Sequence, residues 1–204
     1  GAGAIGRVQS NFINGPSTLT NGVDLYLQYE TDMGDGMLTA GLEANYVAKY
    51  SVDAYLKGNV EIAAAYECAG FFNIENTCRS MPEMKGKAFL NYKSGVHNFY
   101  GALNYVSNYD DRRGTLAGCG SIPALAAFGF DNRDAGGVCT EIAAHTTIDA
   151  TYTYSWDDTF DISFSVYNLT DEQPPFTVWE MNYDPNTHSP LGRFVKAGFT
   201  YRMQ

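Results

Sequence analysis

Side chains suited to chemistry are few in this chain, and they are scattered. His97, His145 and His188 lie tens of residues apart, without the spacing of a metal-binding pair. His97 opens a strand-like segment and His188 sits in a long connecting stretch, so all three read as solvated. Gly1-Ala-Gly-Ala-Ile-Gly6 spells G-x-G-x-x-G, but it neither follows a strand pattern nor opens a helix, as a dinucleotide-binding turn requires. Serine and aspartate are plentiful, yet no G-x-S-x-G elbow occurs. These residues predict no enzyme, no metal and no cofactor.

The four cysteines fall into two local pairs, Cys68 with Cys78 and Cys119 with Cys139, each in a Gly-, Pro- or Asn-rich stretch. An even count paired within loops predicts two loop disulfides and an oxidising compartment. No C-x-x-C occurs, which argues against zinc.

Ligand-contact candidates belong to the long connections. Phe176, Trp179 and Tyr183 lie in a stretch, Thr170 to Leu191, with four acidic residues and no basic one. Aromatic rings beside carboxylates and amides suit stacking on sugars or planar ligands; the competing reading packs them onto the body of the protein. Asp110, Asp111, Arg112 and Arg113 form a second candidate cluster, the competing reading being a solvated charge group. Acidic loops disfavour a strongly anionic ligand.

What must position these residues is β structure. Seven segments alternate apolar and polar: Val23–Glu30, Leu38–Tyr50, Lys87–Lys93, Asn98–Tyr105, Ile148–Trp156, Phe160–Val166 and Val195–Met203. Their apolar sides hold 32 positions and no charge, whereas the opposite sides hold 29 positions and ten charges. One environment excludes charge and the other is wet. Composition agrees: 204 residues carry 15 Tyr, 12 Phe and 21 Gly, and the net charge of −10 argues against nucleic acid as a partner. The longest apolar run, Ile122 to Phe130, is too short for a membrane helix.

Connections alternate too. Thr31–Gly36, Ser94–Val96 and Asp157–Asp158 are tight, while about Ser51–Gly86, Asp110–Thr147 and Asn168–Gly192 are long. Tyr29 and Trp156 stand beside tight turns, Tyr46 and Tyr50 beside a long one, the placement of an interfacial girdle. Short turns at one end and long loops at the other describe a transmembrane β-barrel. Hydrocarbon demands that every backbone group be paired, so the sheet must close, and seven strands are too few. Residues 1–204 are therefore expected to form the C-terminal portion of a larger barrel. The earlier strands would be supplied by the same precursor or another chain.

Specific motifs support this. Phe164-Ser-Val-Tyr-Asn-Leu-Thr-Asp-Glu-Gln-Pro-Pro-Phe176 is similar to the "N-L-F-D-x-x-P-P-F" stretch of TonB-dependent outer-membrane receptors, with Thr170 in the usual Phe position. Asn182-Tyr-Asp-Pro185 and Ser189-Pro-Leu-Gly-Arg-Phe194 resemble the family's "Y-D-P…G-R-x-F/Y" before its final strand, and Ala197–Met203 resembles that strand. Thr20–Leu25 and Met81–Gly86 resemble a strand opening and a loop exit of the same family. The family usually ends in an aromatic residue; this chain ends Met203-Gln204.

The resemblance implies a 22-stranded barrel in the outer membrane of a Gram-negative bacterium, of which this chain is about the last seven strands. It implies import of a scarce nutrient (iron chelate, cobalamin or oligosaccharide) driven through TonB. Partners would be outer-membrane lipid, lipopolysaccharide, the remaining barrel and plug, and TonB through that plug. The alternatives are a passive porin, a surface-binding barrel, or a secreted disulfide-bearing β-sandwich.

Overall fold

The computed structural model describes residues 14–73, 78–111, 140–157, 159–177 and 181–203. Fourteen strands follow one another without a helix among these residues. They are β1 (Thr18–Met33), β2 (Gly36–Val52), β3 (Tyr55–Lys57), β4 (Val60–Ala63), β5 (Tyr66–Glu67), β6 (Phe71–Asn73) and β7 (Arg79–Met81). Then come β8 (Met84–Ser94), β9 (His97–Val106), β10 (Tyr109–Asp111), β11 (Thr140–Ile142), β12 (His145–Ser155), β13 (Phe160–Tyr167) and β14 (Phe194–Tyr201).

The seven alternating segments are the seven long strands. They pair antiparallel in the order β1-β2-β8-β9-β12-β13-β14, each beside its neighbour along the chain, with β5 added against β2. The register keeps the two chemistries apart. One row across the sheet reads Tyr29, Ala40, Leu90, Gly101, Ala150, Val166, Val195. The adjacent row reads Glu30, Thr39, Asn91, Tyr100, Thr151, Ser165, Lys196. Successive residues point to opposite faces, so the first row belongs to the apolar face and the second to the polar one.

Tight turns fix that register. Gly34 and Gly95 open two-residue turns at φ of 60° and 52°, a left-handed backbone that glycine adopts without strain. The third turn has no glycine. The Asp157 carboxylate accepts bonds from the amides of Thr159 and Phe160 and from the Thr159 hydroxyl instead. Between β1 and β2 the pairing skips Ala48, a bulge, and a Cβ on the facing Gly22 would overlap the Tyr46 carbonyl oxygen.

The apolar face is uncovered. Leu27 is 54% exposed, Leu90 57%, Phe164 51% and Phe199 77%. Among the described residues, contacts between elements are those of paired strands, with no second layer across this face. The sandwich alternative requires these side chains between two apposed sheets; among the described residues no second sheet covers them. The sheet is open among the described residues, with β1 and β14 as its edges.

The long connections are not bare loops. They carry seven short strands, six of them in a β3–β4 hairpin and a four-stranded sheet ordered β11-β10-β6-β7. In the latter β10 and β6 run parallel. The buried apolar cluster lies here rather than under the long strands: Phe72, Tyr109 and Ile142, with Val106 packed against it.

Candidate functional site

Three connections meet over the end of the sheet opposite the tight turns. The first is held at its base by Glu67, whose carboxylate accepts from the amides of Tyr50, Cys68 and Ala69. Cys68 and Cys78 form a disulfide across β6, as their spacing predicts, and Cys68 is buried. Cys119 and Cys139 lie outside the described residues.

The last connection, between β13 and β14, is tied down at both ends. Asn168 adopts a left-handed φ of 52°, which asparagine tolerates well. Its side-chain amide donates to the Glu172 carbonyl and its Oδ1 accepts from the Glu172 amide, at 2.8 and 2.9 Å. The Asn168 amide itself donates to Asp149 Oδ1 on β12. Asp171 reaches across the connection to accept the Arg193 amide at 2.7 Å. A Cβ on Gly192 would strike that carboxylate and push it away from the Arg193 amide. The Asn-Leu-Thr-Asp and Gly-Arg pieces of the sequence are thus two halves of one clasp.

Between its ends, the connection docks through a buried polar network. Asp184 is fully buried and its carboxylate accepts from Ser80 Oγ, from the Tyr109 hydroxyl at 2.7 Å and from the Asn186 amide at 2.9 Å. Burial alone would raise this carboxyl; the bonds from Ser80, Tyr109, Asn186 and Thr187 outweigh it and hold the group below the usual carboxylate range. Burial first, then Asp184, pushes the Tyr109 phenol well up, so it stays protonated. The phenol proton lies on the bond to ionised Asp184. His188 Nε2, 3.0 Å from the same oxygen, must therefore be the donor there. His188 is in consequence a neutral Nε2–H tautomer with its lone pair on Nδ1.

His188 is 5% exposed, against the solvated position expected of it. Burial, and secondarily His145, pushes its pKa down to about 4, with Asp184 pulling the other way. The His145 ring meets it edge-on, centroids 4.9 Å apart. His97 does lie at a tight turn, with its Nδ1 2.7 Å from the Tyr152 hydroxyl.

Beneath the docked connection lies a pocket of about 410 Å³. Its floor is the polar side of the sheet, including Asn104 and Asp149; its roof includes His188; Tyr167 and Phe194 line the mouth. Those last two are cross-strand partners with nearly parallel rings, 6.3 Å between centroids.

The predicted contact residues divide. Phe176 and Asp110 are exposed, and Tyr183 is half-buried. Asp111 is 2% exposed and accepts from the buried Thr177 hydroxyl, so its place is structural, anchoring the last connection to β10. Trp179, Arg112 and Arg113 lie outside the described residues. Sequence reasoning missed His145, His188, Tyr167 and Phe194 as a group. The signal available was only that strand ends bordering a long connection share a rim. Comparison with family models, with curated proteins and with solved structures finds no match to this chain.

Proposed function

We propose that this chain is a C-terminal wall segment of a TonB-dependent outer-membrane receptor. It would import a scarce nutrient, an iron chelate, cobalamin or an oligosaccharide, through a larger barrel closed by strands outside residues 14–203. One observation carries the reading: among the described residues, a seven-strand meander presents an uncovered apolar face, backs it with a polar one and leaves both edges unpaired. Soluble proteins rarely expose apolar patches beyond a few hundred Å². Hydrocarbon tolerates such a face, provided each edge finds a partner strand. The gathering of long connections at one end, with a pocket beneath them, suits a surface that captures ligand before a plug passes it inward. The lipid and lipopolysaccharide of the outer membrane would cover the apolar face, and TonB would act through the plug.

The test has two parts. The protein should fractionate with outer membranes and migrate faster on unheated than on heated SDS gels, as closed barrels do. Uptake should stop when TonB is deleted; uptake that persists would indicate a passive porin instead. Recovery as a detergent-free soluble monomer would overturn the reading.

A further inference from the structure

The pocket under the last connection has a more specific chemistry than the import reading requires. Among the described residues, His188 Nδ1 is buried without a hydrogen-bond partner, and His145 Nε2 beside it is likewise unpartnered. An unmet buried acceptor costs free energy, which a donor entering the pocket relieves. Across from it, Asp149 already accepts from Asn104 Nδ2 at 2.8 Å and from the Asn168 amide at 2.9 Å. These bonds hold a carboxylate and an amide in fixed positions on the floor. At the mouth, Tyr167 and Phe194 are 41% and 48% exposed and offer two adjoining apolar ring faces. Among the described residues no lysine or arginine lines the pocket, and the cation acting on His188 is Lys85, outside that lining. Among the described residues no three potential metal ligands converge.

We propose that this pocket binds one ring of a neutral oligosaccharide, with the C–H face of the sugar on Tyr167 and Phe194 and a hydroxyl donating to Nδ1 of His188. A sugar ring joins an apolar face to a rim of hydroxyls that both donate and accept, matching an aromatic platform beside a bare acceptor and a fixed Asn–Asp pair. Ferric chelates bind their metal through anionic oxygens, and the described lining supplies no cationic side chain to meet them. The inference rests on the import reading and narrows its cargo.

The test uses the whole barrel purified from outer membranes in detergent, probed on an array of neutral gluco-, galacto-, manno- and xylo-oligosaccharides. The best binder is then titrated calorimetrically, with ferric citrate and Zn²⁺ alone as counter-probes. Binding to at least one neutral oligosaccharide is expected, weakened about tenfold or more in H188L and in the double variant Y167L/F194L. The second variant alters exposed rings, so it informs even if H188L fails to fold. Heat-modifiable migration of each variant reports folding independently. No binding across the array, or unchanged binding in the folded double variant, overturns the inference, as does His188-dependent binding of ferric citrate or Zn²⁺. A protein that fractionates with outer membranes yet binds no sugar refutes this inference alone; a soluble one refutes the import reading.

Discussion

The long sheet and the cap built by the connections are stabilised in opposite ways. The sheet keeps its apolar side chains on the outside and draws its order from ladder hydrogen bonds running through seven strands. The cap keeps a small apolar core, Phe72, Tyr109 and Ile142, and fastens itself with buried charge and hydroxyl groups. A repetitive surface can be specified by alternation alone. A compact junction of three segments far apart in sequence needs individual bonds that only one arrangement satisfies. Loss of one residue should therefore damage the cap locally and the sheet according to which side it faces.

The largest effect is expected at Asp184. Asp184→Ala leaves Ser80, Tyr109 and the Asn186 amide without their shared acceptor, costing roughly 3–5 kcal/mol of docking free energy. Hydrogen exchange should rise across residues 168–193 while the β9–β12 ladder stays protected. Equal loss of protection in both regions would erase the contrast drawn here.

Next comes the sheet. Phe164→Arg or Ala150→Arg should cost about 2–4 kcal/mol in urea-induced unfolding from lipid, if that face meets hydrocarbon. Thr151→Arg, on the neighbouring residue of the other face, should cost distinctly less. Matching costs would contradict the assignment of faces.

Acidification probes the cap alone. The docked state holds the His188 pKa at about 4, below its ordinary 6.5. Between those values the undocked connection takes up a proton that the docked one refuses. Docking is thus strongest above pH 6.5, weakens as pH falls toward 4 and loses up to about 3 kcal/mol across that window. Asp184 extends the loss: its carboxyl is held low when docked, so its contribution fades only as pH falls through that depressed value. Protease sensitivity of residues 168–193 should rise through this range in the parent and much less in His188→Leu.

The smallest expected effect is at the clasp. Asn168→Ala removes two bonds and places alanine at positive φ, for about 1–2 kcal/mol. Asn168→Gly should recover part of this, because glycine accepts the backbone but not the bonds. No difference between the two variants would remove the conformational part of the explanation.

The sheet was legible because alternation is a local property. Leu25, Leu27 and Tyr29 announce a face without reference to any other strand, and their pairing with Ala44, Leu42 and Ala40 follows from a tight turn. The turn positions were legible too, though strands such as β1 run several residues further than the pattern shows. The cap was not. Its strands are two to four residues long, too short to display a period. Its polar network joins Ser80, Tyr109, Asp184 and His188, whose proximity no spacing encodes. A histidine in a long connection reads as solvated, and only the fold buries it. The motif around Asn168 was visible as a resemblance, but its reason, a clasp onto Gly192 and Arg193, appears only in three dimensions.

That clasp has an architectural consequence. By joining residue 171 to residue 193, it makes the effective link between β13 and β14 only a few residues long. The remaining residues hang from this link as a side branch whose length barely enters the entropy of closing the hairpin. Such a branch can be lengthened, shortened or exchanged for another sequence while the last two strands stay aligned, so its sequence can diversify without renegotiating the scaffold beneath it.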